Sequence, residues 1–188
     1  MTKPLERVRA ELDAARRRAH DIAETLAPSQ WNARPGPDDW SVTECLAHLN
    51  LTSRAFLPLL DEAIGRGRAE GRRAGRHRMD VVGRMVWLVT TLRVPVRTTE
   101  PFVPAGAYQS EAVLAEFDVL QRELIARMEQ ADGLDLTRLR IVSPFDARLR
   151  YNVYAALRII AAHQHLHLRQ AARAVRRLAK VADTPGVV

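Results

Sequence analysis

Ala161-Ala162-His163-Gln164-His165-Leu166-His167-Leu168-Arg169-Gln170 carries three of the six histidines in the chain. An α-helix turns by about 100° per residue, so on a helix His163 and His167 fall within about 40° of each other, one turn apart. His165 then points to the other side, shared with Arg158, Arg169 and Arg176. His167 continues an apolar seam of Val153, Leu157, Ile160, Ala171 and Ala174. The reading puts two imidazoles on the interior face and one toward solvent. Imidazoles at i and i+4 can share a metal ion. They can equally be packed polar side chains with hydrogen-bond partners. The segment alone leaves both readings open.

Working outward, Asn152 starts this helix, which runs to about Leu178, and the tail 183–188 reads as frayed. Upstream, Val113, Phe117, Leu120, Leu124 and Met128 give a helix that opens at Ser110 or Glu111 and closes at Asp132-Gly133. The connector Leu134–Arg150 between these two holds Leu139, Ile141 and Val142, either a short strand or an anchored loop. Near the N-terminus, Leu5, Val8, Leu12, Ala15, Ala19, Ile22 and Leu26 step by threes and fours, and Pro28 ends that stripe. Pro35, Gly36 and Pro37 keep the segment Trp31–Asp39 out of helix. Ser41 and Glu44 then form a capping box, each satisfying an amide at the start of a helix with Val42, Leu46, Leu49, Phe56 and Leu60 inward. His48 lies on the flank of that stripe and can reach inward. The segment Gly65–Arg78, with Arg66, Arg68, Arg72, Arg73, Arg76 and Arg78, reads as a solvated loop, with an anion-binding arm as the other option. Val81–Leu92 reads as a further short helix that caps the domain or lines a subunit contact. Arg93–Tyr108, with Pro95, Pro101 and Pro104, reads as an extended crossing loop.

Four amphipathic helices, each with one apolar face, make an all-α four-helix bundle the economical fold. A chain of 188 residues suits a single domain, here residues 1–182. Thr2–Arg18 has no apolar signal region. The window Val81–Val96 is too short to span a bilayer and contains Arg84 and Arg93. Cys45 is the single cysteine, which excludes a disulfide framework and a thiolate zinc cluster. A cytoplasmic location follows. The net charge of +7 comes almost entirely from arginine, Lys3 and Lys180 being the only lysines. Neither a reading helix nor stacking aromatics accompanies that charge, so nucleic acid is not the expected partner.

His48, His163 and His167 together supply three neutral imidazoles, a donor set that suits zinc, nickel or iron with one position open. Position 164 is Gln, so no H-E-x-x-H protease is indicated, and no Glu-x-x-His pair of a di-iron bundle is present. Asp39-Trp40-Ser41-Val42-Thr43-Glu44-Cys45-Leu46-Ala47-His48-Leu49 resembles the W-S-x-x-E-x-x-x-H-L opening of the second helix of the DinB-like superfamily, the DinB/YfiT group of metal-dependent enzymes. The segment His163–Gln170 resembles that family's H-x-x-x-H-x-x-Q segment in the fourth helix. The resemblance covers most of the chain and is weakest over residues 65–108. It implies an up-down-down-up bundle with long crossovers, a homodimer, and one divalent metal held by His48, His163 and His167.

Relatives in that family include thiol transferases and isomerases that use bacillithiol or mycothiol. The first functional expectation is therefore an S-transferase acting on a small electrophilic substrate with a low-molecular-weight thiol as co-substrate. Metal-dependent hydrolysis is the second, with Glu44 its nearest carboxylate, although capping makes Glu44 a poor general base. A non-enzymatic stress-related binding module with a structural metal is the third, and His20, His77 and Cys45 are its candidates for a fourth ligand. Gln170 is expected to contact a ligating histidine or the substrate, Trp40 to anchor the end of the bundle, Cys45 to sit in the core, and Val81–Pro95 to form the dimer surface.

Overall fold

The computed structural model describes residues 1–71, 77–92, 94, 98–106 and 108–182. Arg72, Arg73 and Arg76 of the Arg-rich stretch, Arg93, Pro95 and the tail from Asp183 lie outside the described residues. The structure is mostly helical: α1 spans Lys3–Glu24, α2 Val42–Ala69, α3 Val81–Leu92, α4 Ser110–Gln130 and α5 Val153–Ala182. Between α4 and α5 lies a small antiparallel pair, β1 (Arg140–Val142) and β2 (Arg150–Asn152), with Ile141 opposite Tyr151. No helix among the described residues is long and apolar enough to cross a membrane.

The helices form where the apolar period demands them. Leu5, Val8, Leu12, Ala15, Ala19 and Ile22 are all buried along α1, which packs on α4 and α5. α2 also packs on α4 and α5. The core falls into two parts. One gathers Leu12, Phe56, Leu60, Leu124 and Leu157; the other gathers Ala19, Leu46, Leu49, Phe117 and Leu168. Within the core Gln121 of α4 and Gln164 of α5 bond reciprocally, Gln121 Nε2 donating to Gln164 Oε1 at 2.7 Å and Gln164 Nε2 to Gln121 Oε1 at 3.1 Å. Both amides are buried, and the exchange satisfies polar atoms that would otherwise be costly there.

Ser41 caps α2 as its sequence implied. The Ser41 hydroxyl accepts from the Glu44 amide at 3.1 Å, and the Glu44 carboxylate accepts from the Ser41 amide at 2.8 Å. At its other end α2 runs on to Ala69, into the stretch expected to be loop, and it passes through the exposed Pro58. The continuation has a packing reason. Gly67 is buried against Leu139, and a Cβ at Gly67 would stand only 2.6 Å from Leu139 Cδ1. Arg66 pairs with Glu62 and donates to the Arg140 carbonyl, and Arg68 donates to the Gln130 carbonyl. These two arginines pin α2 to its neighbours instead of forming an anion-binding arm.

α3 is tied down by Asp80 and Gly83. Asp80 Oδ1 accepts from the Gly83 amide at 2.8 Å, while Oδ2 takes the Asn152 amide and the Arg140 guanidinium. Gly83 lies so close to α5 that a Cβ there would come within 2.3 Å of Ala155 Cβ. Val82, Val86 and Trp87 pack toward the core, and Val81, Met85, Leu88, Val89 and Leu92 leave an apolar stripe exposed. The strand β2 has no counterpart in the sequence reading. Asn152 ends it and also starts α5, its side-chain Oδ1 accepting from the Ala155 amide at 2.8 Å.

Candidate metal centre

α2 delivers His48, and α5 delivers His163 and His167 from consecutive turns. His48 is buried and the other two are largely so. One ring nitrogen from each lies within 4.8 Å of the other two. His48 Nε2 and His163 Nε2 are 3.2 Å apart, and the His48 and His167 ring centroids are separated by 4.3 Å. Such a group of nitrogen donors could hold a metal ion.

The outer nitrogens explain how the rings are aimed. The Phe102 backbone carbonyl accepts from His48 Nδ1 at 2.7 Å, and Gln170 Oε1 accepts from His167 Nδ1 at 3.0 Å. With Nδ1 protonated, the Nε2 lone pairs of these two rings turn inward. Burial lowers the pKa of His48, against the opposing pull of the Phe102 carbonyl. Burial, aided by the neighbouring His167 and His48, holds His163 well below the ordinary histidine value. Burial and the charge of His48 push His167 down to about 3. All three rings are therefore neutral at neutral pH, the form in which imidazole ligates.

Aromatic rings close the remaining sides. Trp40 stacks on His167, the centroids 5.8 Å apart and the planes 26° from parallel, and it leans on His48 at 5.0 Å. Trp40 packs partly against the core, as a bundle-end anchor would, and it also lines the cleft. Phe145, from the turn between β1 and β2, packs against His163 at 5.5 Å and against Phe102 at 5.2 Å. The three imidazoles open onto a cleft of about 870 Å³. Val82, Met85, Val86 and Val89 of α3 form one apolar wall, and Thr98, Thr99 and Phe102 another part of the lining.

None of the side chains considered as a fourth ligand joins the group. His20 bonds Asp118 at 3.0 Å, and His77 stacks on Tyr154 at 5.6 Å. Cys45 is buried in the core, and burial pushes its thiol up to about 12. Among the described residues, no carboxylate or thiol comes within the 4.8 Å that gathers the three histidines. Burial would raise the Glu44 pKa, but bonds from Arg34 and Ser41 hold it below the usual carboxylate value. Its oxygens are spent on those partners. His165 points away from the cleft as expected. It is only half-exposed, however, and hydrogen bonds the Glu11 backbone of α1 instead of facing bulk solvent.

Sequence reasoning missed Phe102 and Phe145. The contribution of Phe102 is a backbone carbonyl, which no side-chain motif records. Phe145 follows Ser143-Pro144 in a segment with no helical period, and its one signal was an aromatic residue in a turn.

A helical scaffold with three converging neutral imidazoles at the end of an apolar cleft defines a candidate metal-binding protein. The family model of the DinB superfamily matches residues 11–171, a span that includes His48, His163 and His167, and the chain belongs to that superfamily. No curated protein and no solved structure matches the chain.

Proposed function

We propose that this protein is a metal-dependent enzyme that transfers a low-molecular-weight thiol to a small electrophilic substrate, with His48, His163 and His167 holding one zinc, nickel or iron ion. The observation that carries the reading is the open side of the histidine group. Three protein donors face a cleft of about 870 Å³, and among the described residues no fourth His, Cys, Asp or Glu donor closes the set. Structural zinc sites are closed by four protein ligands, whereas catalytic ones keep a position free. The donor chemistry fits an ion: the rings are neutral, and two of them have their outer nitrogens fixed by acceptors. A bound ion would supply a Lewis acid that ionises a coordinated thiol near neutral pH.

The chain's own residues do the rest. Phe102 and Gln170 hold the tautomers of His48 and His167. Trp40, Phe102 and Phe145 exclude water around the imidazoles, which strengthens every polar interaction made there. The α3 wall of Val82, Met85, Val86 and Val89 offers apolar surface for the carbon skeleton of the electrophile.

Hydrolysis is the second reading, and its nearest carboxylate, Glu44, is spent on Arg34 and Ser41. Asp38 and Asp146 are the carboxylates lining the cleft, and Arg148 holds Asp146 down to about 2. A non-enzymatic module would need the coordination closed. In the same proposal, α1, α2, α4 and α5 form the family's four-helix bundle in up-down-down-up order, with the α2–α4 and α4–α5 connections as crossovers. A homodimer would use Val81, Leu88 and Leu92, the exposed apolar residues of α3 outside the cleft lining.

The experiment is metal content per chain, wild type beside His163→Ala and His167→Ala, followed by turnover of a chromogenic electrophile with several thiols on loaded protein. Near-stoichiometric metal in the wild type, lost in both variants, together with thiol-dependent turnover, is expected. A wild type that takes up no divalent ion even after loading refutes the reading. So does loaded protein that turns over no thiol.

A further inference from the structure

Trp40, Gln170 and Arg173 line the main cleft and also a smaller side pocket of about 290 Å³. The side pocket adds Pro35, Asp39, Ala174 and Arg177. Its ionic balance is simple. Arg177 bonds Asp39, so those two charges cancel. Arg173 makes no ion pair among the described residues, which leaves the side pocket itself with one positive charge in excess, while the acidic groups of the adjoining cleft are Asp38 and Asp146.

The geometry extends from the imidazoles. Gln170 presents Oε1 to His167 Nδ1, so its amide NH₂ remains available as a donor. Arg173 follows Gln170 by one turn, and its backbone lies about 9 Å along α5 beyond that of His167. A guanidinium and an amide donor on one helix face make a forked site for a carboxylate. The adjoining α3 wall carries no charge and suits the electrophile instead.

We infer that this side pocket seats a carboxylate of the thiol co-substrate, Arg173 and Gln170 binding the anionic end while the sulfur reaches the three imidazoles past Trp40. The inference rests on the S-transferase reading and narrows it. The co-substrate is a thiol that bears a carboxylate set off from its sulfur, not a simple mercaptan, and the two reactants occupy different walls of one cleft.

The test is a spectroscopic titration of cobalt-loaded protein with glutathione and with glutathione diethyl ester, followed through the thiolate-to-cobalt charge-transfer band. Wild type, Arg173→Gln and Arg173→Lys are compared, with circular dichroism as a fold control for an exposed residue. The apparent Kd for glutathione is expected to rise about tenfold in Arg173→Gln and to recover in part in Arg173→Lys. Added salt should weaken glutathione binding to the wild type. The ester should bind wild type and Arg173→Gln alike, with the band intact. A band that forms equally well with glutathione and its ester in the wild type, or that ignores Arg173→Gln, overturns the side-pocket assignment and leaves the transferase reading standing. No band with either thiol in the wild type overturns both.

Discussion

Replacing Gly83 by Ala sets two effects of similar size against each other. In an exposed helix, Gly→Ala stabilises by about 0.5–1 kcal/mol, because the unfolded chain loses freedom. At Gly83, however, the new Cβ would stand 2.3 Å from Ala155 Cβ, 2.9 Å from Asp80 Oδ1 and 3.1 Å from Tyr151 Cβ. Ala155 and Tyr151 are fully buried, and a Cβ has no rotamer by which to escape. Restoring an ordinary carbon contact of about 3.5 Å needs α3 to withdraw by about 1.2 Å. Overpacking of this kind costs about 1–3 kcal/mol, so packing outweighs propensity and Gly83→Ala should destabilise by about 1–2 kcal/mol. For a chain of this size that is a fall in Tm of about 2–8 °C.

Gly65 is the control, because it also lies in a helix and a Cβ there meets nothing within 4 Å. Gly65→Ala should raise Tm by a few degrees. Thermal unfolding of the metal-free proteins, with hydrogen exchange to locate the loosening in α3, measures both. Equal signs for the two substitutions would refute the packing argument, since the close approach of Ala155, Asp80 and Tyr151 is what sets Gly83 apart from Gly65.

Three further outcomes follow from the site and its support. His167 has a folded pKa of about 3 against an unfolded value of 6.5, so the unfolded chain binds the extra proton. Stability is thus complete above pH 6.5 and is lost as pH falls toward 3. At pH 5 His167 alone accounts for about 2 kcal/mol, with His48 and His163 acting in the same direction. Urea unfolding of metal-free protein at pH 7.5 and 5 reads this, and a variant with all three histidines changed to Gln should show a shallower pH dependence. Cys45, buried with its thiol pushed up to about 12, should resist iodoacetamide at pH 8 in folded protein and react in urea. Rapid labelling of the folded protein would contradict its place in the core. Ser41→Ala removes the cap of α2 and should cost about 1 kcal/mol in chemical denaturation; an unchanged midpoint would mean that the start of α2 is held by packing alone.

What was legible in the sequence was periodic. The stripe from Leu5 to Ile22 and the seam beside His163 and His167 follow from the pitch of a helix, and Ser41 with Glu44 marks the start of α2 by local hydrogen bonding. Illegible features depended on distant partners. Gly65 and Gly67 fall in the stretch that reads as a solvated loop, yet Gly67 is small because Leu139 occupies the space of its side chain. Three-residue strands leave no pattern long enough to separate from loop, and β2 went unseen. The three histidines were findable because each sits at a fixed offset in a helix. The carbonyl of Phe102 was not, since any residue at that place would offer one. Arg173 was hidden among many arginines and gains meaning only beside a pocket whose one carboxylate, Asp39, is bonded to Arg177.

Gln164 occupies the position next to His163 where a zinc protease would keep its catalytic glutamate. Here that side chain turns into the core and exchanges both amide bonds with Gln121, away from the cleft. The pairing acts as a key for the rotation of α5: turning the helix far enough to bring residue 164 to the cleft would break two buried hydrogen bonds and carry His163 and His167 out of alignment. The protease arrangement is thus closed to this scaffold by the orientation of one helix, and a glutamate introduced at position 164 would face an amide in the interior instead of a water molecule in the cleft. New acid–base chemistry could enter from the cleft wall, where the exposed Met85 and Val89 can change without touching that key.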